Sequence, residues 1–304
     1  MAHGHQHHGH AHQHGYADAR GFAPGIAFNL AFTVLEVVAG FYAGSMALLA
    51  DAGHNLSDVL GLILAWVAVV LARRRPTTRR SYGWHKGTIL AALGNAVLLL
   101  LAVGGIVAEA VERLLHPAPV VTGIMLWVAV AGVVVNAATA LLFLRGREQD
   151  LNRRGAFLHM AADAAVSLAV VVGALVLEAT GWLWVDPALG LLVAVVILLG
   201  GWGLLKEAMG LAMDMVPRGV DPVKVKEFLA GLPGVVEVHD LHIWGMGTTH
   251  VALTAHLVRP GAVLDDWFLL ETGAALKRRF GIDHPTLQLE SGSHACPLAP
   301  DDVV

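Results

Sequence analysis

Residues 45–58 read Ser-Met-Ala-Leu-Leu-Ala-Asp-Ala-Gly-His-Asn-Leu-Ser-Asp, and no charged residue follows until Arg73. An apolar run of this length is typical of a membrane-spanning helix, which needs about 20 residues. This stretch nevertheless contains three ionisable side chains, Asp51, His54 and Asp58. Ionisable groups inside a span are costly, and they usually face the interior of a helix bundle or a water-filled path. The stretch therefore predicts a membrane helix that carries a polar site.

A second apolar stretch repeats the same spacing, because His159 and Asp163 are also four residues apart. One helical turn places residues i and i+4 on the same face. Two histidines and two carboxylates supply four nitrogen and oxygen ligands, which is the number in a tetrahedral zinc site. One such pair alone is explained equally well by an interhelical hydrogen bond. Two identical pairs in two spans favour a metal site made by His54, Asp58, His159 and Asp163.

The composition is that of a membrane protein. Hydrophobic residues make up 56% of the 304 residues and charged residues 14%, whereas soluble domains have roughly 25% charged residues. The net charge of −4, without a basic stripe, argues against nucleic acid as a partner. A single cysteine, Cys296, excludes an intramolecular disulfide framework.

Six apolar stretches predict a six-helix α-helical membrane protein. They cover about 22–43, 46–72, 87–113, 121–144, 156–178 and 186–205. We expect a disordered histidine-rich tail over 1–20, a transmembrane domain over 21–205 and a soluble domain over 206–304. Asp186, next to Pro187, is expected to cap the start of the sixth span.

The basic residues predict the orientation in the membrane. They concentrate in the loops after spans two and four, whereas the loops after spans one, three and five have no comparable cluster. The basic residues of the two clusters are Arg73, Arg74, Arg75, Arg79, Arg80, Lys86, Arg145, Arg147, Arg153 and Arg154. Because such residues favour the cytoplasmic side, both termini are expected in the cytoplasm. A multi-pass protein of the cell membrane follows from this prediction.

The last hundred residues predict a small α+β domain with the order αββαβ. Asp221–Leu232 and Leu264–Phe280 have helical patterns, and Val235–Trp244, His250–Val258 and Thr286–Glu290 have strand patterns. Strict alternation would place His239 and His242 on opposite faces of the first strand.

Four segments together resemble the cation diffusion facilitator family: 45–58, Ser81-Tyr-Gly-Trp-His-Lys86, His159-x-x-x-Asp163 and His239-Asp-Leu-His-Ile-Trp244. The resemblance covers about residues 26 to 290. It implies a homodimer, proton antiport, transport through the paired ligands of spans two and five, and a cytoplasmic domain with a metallochaperone-like fold. Histidine at position 54 is similar to the zinc-preferring members.

The resemblance also implies secondary metal sites. His239, His256 and Glu290 match metal-binding positions of the cytoplasmic domain, although Gln288 stands where some relatives have another ligand. Hydrogen-bonded strand histidines without a metal are the alternative. His85 lies where a loop site is implied, and an interfacial histidine is an equal alternative.

Three further features bear on metal binding. Asp51 lies two turns before Asp58 and is expected to line the path or cap the helix. His294 and Cys296 form a terminal His-x-Cys, for which an unligated tail is expected and a soft metal ligand is the alternative. Seven histidines in the first fourteen positions are expected to gather Zn²⁺ near the cytoplasmic mouth, unless they are a purification tag.

The predicted function is therefore efflux of Zn²⁺ from the cytoplasm. Metal binding requires neutral imidazoles and ionised carboxylates, so protons compete with the ion and antiport is expected. The alternatives are transport of Cd²⁺, Co²⁺, Ni²⁺ or Mn²⁺ by the same fold, or a membrane metal sensor without transport. An enzyme is not expected, because a His-Glu-x-x-His motif is absent, and the absence of a phosphate-binding Gly-x-x-x-x-Gly-Lys loop argues against ATP-driven pumping.

Overall fold

The computed structural model describes residues 19–144, 151–261 and 266–300. The histidine-rich tail and part of the second basic loop lie outside these residues. Six helices come first in the chain: α1 (Ala19–Ala43), α2 (Met46–Ala72), α3 (Lys86–Leu115), α4 (Thr122–Leu144), α5 (Leu151–Thr180) and α6 (Val185–Ala212). Among the described residues, five helices are long and apolar enough to cross a membrane, and Leu30–Ala43 of α1 is a shorter apolar segment. The predicted helical membrane protein is confirmed.

Two helices extend beyond the predicted spans by five residues or more at one end. Helix α5 begins at Leu151 and α6 continues to Ala212, whereas the apolar runs alone indicate 156 and 205. Apolarity reports the length within lipid, and polar residues at the ends of a span can continue the same helix. Helices α1 and α2 are joined by a tight turn at Gly44, whose positive φ of 64° suits glycine.

Asp186 does not cap its own helix as predicted; it caps α2. Its carboxylate accepts hydrogen bonds from the Ser45 hydroxyl at 2.5 Å, the Met46 backbone N–H at 2.6 Å and the Ala47 N–H at 3.2 Å. These N–H groups belong to the first turn of α2, which has no intrahelical acceptor for them. Asp186 is fully buried, and its two carboxyl oxygens accept these three hydrogen bonds. The start of α6 thereby fixes the start of α2.

The soluble domain has the predicted order αββαβ: α7 (Pro222–Ala230), β1 (Glu237–Gly245), β2 (Val251–Val258), α8 (Asp266–Phe280) and β3 (His284–Glu290). The sheet order is β1-β2-β3, with β1 and β2 antiparallel and β2 and β3 parallel. Asp221 caps α7 by accepting from the Val223 and Lys224 N–H groups. The backbone N–H of Lys224 is the main reason why the pKa of Asp221 is lowered.

One face of the sheet packs on the two helices through buried apolar residues, which include Leu229 of α7, Leu276 of α8 and Leu253 and Leu257 of β2. Strand β1 has a bulge at Asp240, whose φ is +49°, and the bulge interrupts the alternation of side chains between the two faces of the strand. His239 pairs with His256, and His242 pairs with Thr254. Since His256 and Thr254 share a face of β2, His239 and His242 share a face as well. The predicted opposite placement is wrong because the bulge adds one residue.

The described residues form two compact units: those up to Val59 together with those from Gly105 to Ala194, and those from Leu60 to Gly104 together with those from Val195 onward. In the first unit, a buried apolar cluster contains Leu48 of α2, Met125 of α4, and Val170 and Leu177 of α5. This packing positions the helix segments that bear the two His–Asp pairs. The second unit contains the soluble domain.

Candidate metal-transport site

The two His–Asp pairs lie on neighbouring segments of α2 and α5, within the first compact unit. His54 and Asp58 share one face of α2 because they are separated by about one turn, and His159 and Asp163 do the same on α5. The predicted residues are therefore brought together by the fold. The two imidazole rings face each other with centroids 5.9 Å apart and an angle of 77° between their planes.

The ligand atoms are separated by distances close to those around a tetrahedral ion. Bonds of about 2.0–2.2 Å place neighbouring ligand atoms of a tetrahedral zinc site about 3.3–3.6 Å apart. His54 Nε2 lies 3.5 Å from Asp163 Oδ1 and 3.8 Å from Asp58 Oδ2, and His159 Nε2 lies 3.1 Å from Asp58 Oδ2 and 3.6 Å from Asp163 Oδ2. Each imidazole thus contacts one carboxylate from each helix.

The four residues are not equivalent. Ligand atoms of His54, His159 and Asp163 all lie within 4.8 Å of one another, and Asp58 adjoins this group through its contacts with both imidazoles. The Asp163 side chain is 4% exposed, whereas those of Asp58 and His159 are 36% and 44% exposed. Asp163 is therefore the most deeply buried carboxylate of the group, and Asp58 and His159 are its more exposed members.

Several polar atoms of this group have no hydrogen-bond partner. Asp58 Oδ2, Asp163 Oδ2 and His54 Nδ1 are buried atoms without a hydrogen bond in the described structure. A buried polar atom without a partner costs about 1–3 kcal/mol, and more when it is charged. A cation held by the carboxylates and imidazoles would offset this cost. The geometry therefore suits an ion better than it suits a closed hydrogen-bond network.

A second buried carboxylate pair lies in the same unit. Asp51 accepts a hydrogen bond from the Ser167 hydroxyl at 3.1 Å, and Glu36 accepts one from the Asn55 amide at 2.9 Å. Asp51 and Glu36 are almost completely buried and also interact with each other. Asp51 does not cap α2, since Asp186 fills that role.

Sequence reasoning missed Ser167 as a partner of this pair. A local signal for it exists, because Ser167 is one turn after Asp163 on α5.

The soluble domain brings together His239, His256 and Glu290, as the family resemblance implied. They stand on three adjacent strands, where His239 pairs with His256 across β1 and β2. His239 Nε2 lies 3.5 Å from Glu290 Oε2, and His256 Nδ1 lies 3.0 Å from Glu290 Oε1. Gln288 donates to Glu290 at 3.0 Å and so supports the carboxylate. Cys296 adjoins this group, with its sulfur 3.6 Å from His256 Nδ1.

His85 lies beside the soluble domain. Its ring centroid is 4.6 Å from that of His250, and nearby the Thr248 N–H donates to Thr88 Oγ1 at 3.0 Å. Burial and the neighbouring imidazole of His250 lower the pKa of His85. Among the described residues, His85 belongs to neither of the two groups whose ligand atoms come within metal-binding distance.

The chain is similar to cation efflux proteins along most of its length. Residues 25–211 match the family described as the cation efflux transmembrane domain, and residues 217–292 match the cation efflux protein cytoplasmic domain. The zinc transporter ZitB of Escherichia coli (strain K12) is 37% identical over 292 residues, which are 95% of this chain and 93% of that protein.

Two further relatives carry broader names. The metal cation efflux system protein CzcD of Cupriavidus metallidurans is 35% identical, with 93% of this chain and 90% of that protein covered. A cadmium, cobalt and zinc/H(+)-K(+) antiporter of Bacillus subtilis is 33% identical, with 86% of each chain covered.

Proposed function

The chain belongs to the cation efflux family of membrane transporters, and we propose that it exports Zn²⁺ from the cytoplasm through His54, Asp58, His159 and Asp163. The observation that carries the proposal is the convergence of the two pairs: their N–O separations of 3.1–3.8 Å bracket those of a tetrahedral zinc site. The family transports cations, so the protein is not an enzyme.

The donor set favours Zn²⁺ but does not exclude its neighbours. Two imidazoles and two carboxylates suit zinc well, while nitrogen ligands disfavour Mn²⁺. The relatives named for zinc support this choice, and those named for cadmium and cobalt favour a second candidate, export of Cd²⁺ or Co²⁺ through the same residues. Ni²⁺ transport and a non-transporting sensor are the remaining alternatives.

Proton antiport follows from the same ligands. Zn²⁺ requires neutral imidazoles and ionised carboxylates, so loading the site releases protons, and protons entering from outside displace the ion. Unperturbed imidazoles titrate near 6.5, which allows this competition at physiological pH. Asp51 and Glu36 form the polar lining next to the site in this account, and Asp51 is not a ligand.

The proposed topology places both termini and the soluble domain in the cytoplasm, because the basic residues concentrate in the loops after α2 and α4. The protein is proposed to act as a homodimer, and the match to the cation efflux cytoplasmic domain supports this. The division into tail (1–20), membrane domain (21–205) and soluble domain (206–304) belongs to the same proposal.

A regulatory metal site is proposed in the soluble domain at His239, His256 and Glu290. Their ligand atoms converge, with His239 Nε2 3.5 Å from Glu290 Oε2 and His256 Nδ1 3.0 Å from Glu290 Oε1. His85 beside His250 is proposed as an interfacial histidine rather than a ligand. The tail histidines are proposed to concentrate Zn²⁺ near the cytoplasmic mouth.

Metal flux in proteoliposomes tests the proposal. Wild type is compared with Asp58→Ala and Asp163→Ala, using Zn²⁺, Cd²⁺, Co²⁺, Ni²⁺ and Mn²⁺ with and without a pH gradient. We expect gradient-dependent Zn²⁺ flux in wild type and loss of flux in both variants, with normal amounts of protein in the membrane. Glu178→Gln, at an exposed position late in α5, is the matched control and should transport normally. Normal rates in the two aspartate variants would overturn the proposal, and metal binding without flux in wild type would favour the sensor.

A further inference from the structure

The C-terminal segment after β3 returns across the sheet face that bears His239 and His256. Gly292, with φ of +73°, turns the chain beyond Glu290, and Pro300 lines a cavity of about 230 Å³ together with His239 and His242. Pro222, Val223 and Lys226 of α7 line the same cavity, and His239 is only 4% exposed. The segment therefore covers a group of potential metal ligands.

Within this covered group, four residues offer one ligand atom each. Atoms of His239, His256, Glu290 and Cys296 all lie within 4.8 Å of one another. The sulfur of Cys296 is 3.6 Å from His256 Nδ1. In a tetrahedral site, a Zn–S bond of about 2.3 Å beside a Zn–N bond of about 2.0–2.1 Å separates sulfur from nitrogen by about 3.5–3.6 Å. The observed distance agrees with shared coordination.

The imidazole of His239 has no hydrogen-bond partner for either ring nitrogen in the described structure. Its Nδ1 and Nε2 atoms lie 3.1 Å from Glu237 and 3.5 Å from Glu290, without hydrogen-bond geometry. An imidazole this buried normally satisfies at least one nitrogen. A bond to a metal at the centre of the group would satisfy His239 and neutralise Glu290.

We propose that Cys296 is the fourth ligand of the soluble-domain metal site, so that metal binding fastens the C-terminal segment over His239, His256 and Glu290. This inference rests on the regulatory site proposed above, to which it adds a protein thiolate. A ligand set of one sulfur, two nitrogens and one oxygen selects Zn²⁺, Cd²⁺ or Co²⁺ over hard ions such as Mg²⁺. The site becomes sensitive to thiol alkylation, whereas the transport site contains no sulfur.

Cobalt spectroscopy of the full-length protein tests the assignment. Cys296 is the only cysteine of the chain, so a thiolate-to-cobalt charge-transfer band in the near ultraviolet identifies this residue without interference from the transport site or the tail histidines. The Asp58→Ala/Asp163→Ala variant is titrated with Co²⁺ with and without the further change Cys296→Ser. We expect one saturable band per chain, which is lost completely in Cys296→Ser and is bleached by Zn²⁺. Metal binding should also slow alkylation of the thiol.

Two outcomes separate this inference from the site on which it depends. In one outcome, the protein that retains Cys296 shows visible cobalt absorption but no charge-transfer band, and the visible absorption disappears in His239→Gln. This result would overturn the assignment of Cys296 as a ligand and leave the three-residue site intact. The 3.6 Å contact between Cys296 and His256 would then be a simple S–H···N hydrogen bond. If His239→Gln changes neither spectrum, both proposals are wrong. The metal-flux assay tests the transport site separately, and its interpretation does not depend on either spectrum.

Discussion

Removal of the Asp186 carboxylate should detach the start of α2 from α6. In Asp186→Ala, the Met46 and Ala47 N–H groups lose their acceptor in a buried position. Each buried donor left without a partner costs about 1–3 kcal/mol, so the two together cost about 4 kcal/mol when middle values are added. The Ser45 hydroxyl adds little, because it rotates and already accepts from the Leu48 N–H.

Two companion variants grade this effect. Asp186→Asn keeps one acceptor oxygen but points an amide NH₂ at the other donors, and about half of the loss is expected. Ser45→Ala leaves both backbone hydrogen bonds to Asp186 but removes the acceptor of the Leu48 N–H. One buried donor is then left without a partner, so about 2 kcal/mol is expected. Glu178→Gln, which changes an exposed charge, is the matched control and should be neutral.

Amide hydrogen exchange of the purified protein in lipid nanodiscs measures the effect where it occurs. The amides of 46 and 47 should exchange roughly a thousandfold faster in Asp186→Ala, which is about 4 kcal/mol at a factor of ten per 1.4 kcal/mol. Amides in α8 of the soluble domain should keep their rates. Unchanged exchange at 46 and 47 would refute the capping role of Asp186.

Three other predictions concern the packing of α6, the soluble domain and the tail. Gly190→Val should cost about 1–3 kcal/mol by overpacking, because a Cβ there would lie 3.2 Å from the Met46 Cβ. A Cβ at Gly200 in the same helix would meet no atom within 4 Å, so Gly200→Val is the control. Equal thermal stabilities of the two variants would contradict this prediction. Asp221→Ala should destabilise α7 at neutral pH. Since the pKa of Asp221 is below its ordinary 3.8, the difference in stability from wild type should shrink as the pH falls through the lowered pKa. A difference in α7 amide exchange that does not depend on pH would be inconsistent with the cap. Deletion of residues 2–14 should raise the metal concentration for half-maximal flux modestly and leave the maximal rate unchanged, and an inactive transporter would exclude a gathering role.

Local geometry is well predicted from the sequence because helix and strand periodicities are local properties. The four-residue spacing of His54 and Asp58 is enough to place both on one face of α2, and the patterns of the soluble domain are enough to give its order of helices and strands. The approach of α2 to α5 follows only from repetition and family resemblance, since no spacing within one helix defines its neighbour. The contacts with His159 depend on the tertiary fold.

The errors share a physical origin in contacts between distant parts of the chain. The sequence around Asp186 predicts a cap of its own helix, but its partners Met46 and Ala47 lie about 140 residues earlier. Strict alternation places His242 on the wrong face because it does not anticipate the bulge at Asp240. The sequence leaves Cys296 as either a tail residue or a soft ligand, and only the tertiary fold brings it beside His256.

The central claim is that one ion contacts side chains of both α2 and α5, and X-ray absorption at the zinc edge tests it most directly. The sample is a chain without residues 2–14 and with His239→Gln, so that the transport site holds the zinc. We predict two imidazole nitrogens and carboxylate oxygens at about 2.0–2.2 Å, and one imidazole fewer in either His54→Ala or His159→Ala. An imidazole count that either substitution leaves unchanged would show that the ion does not join the two helices.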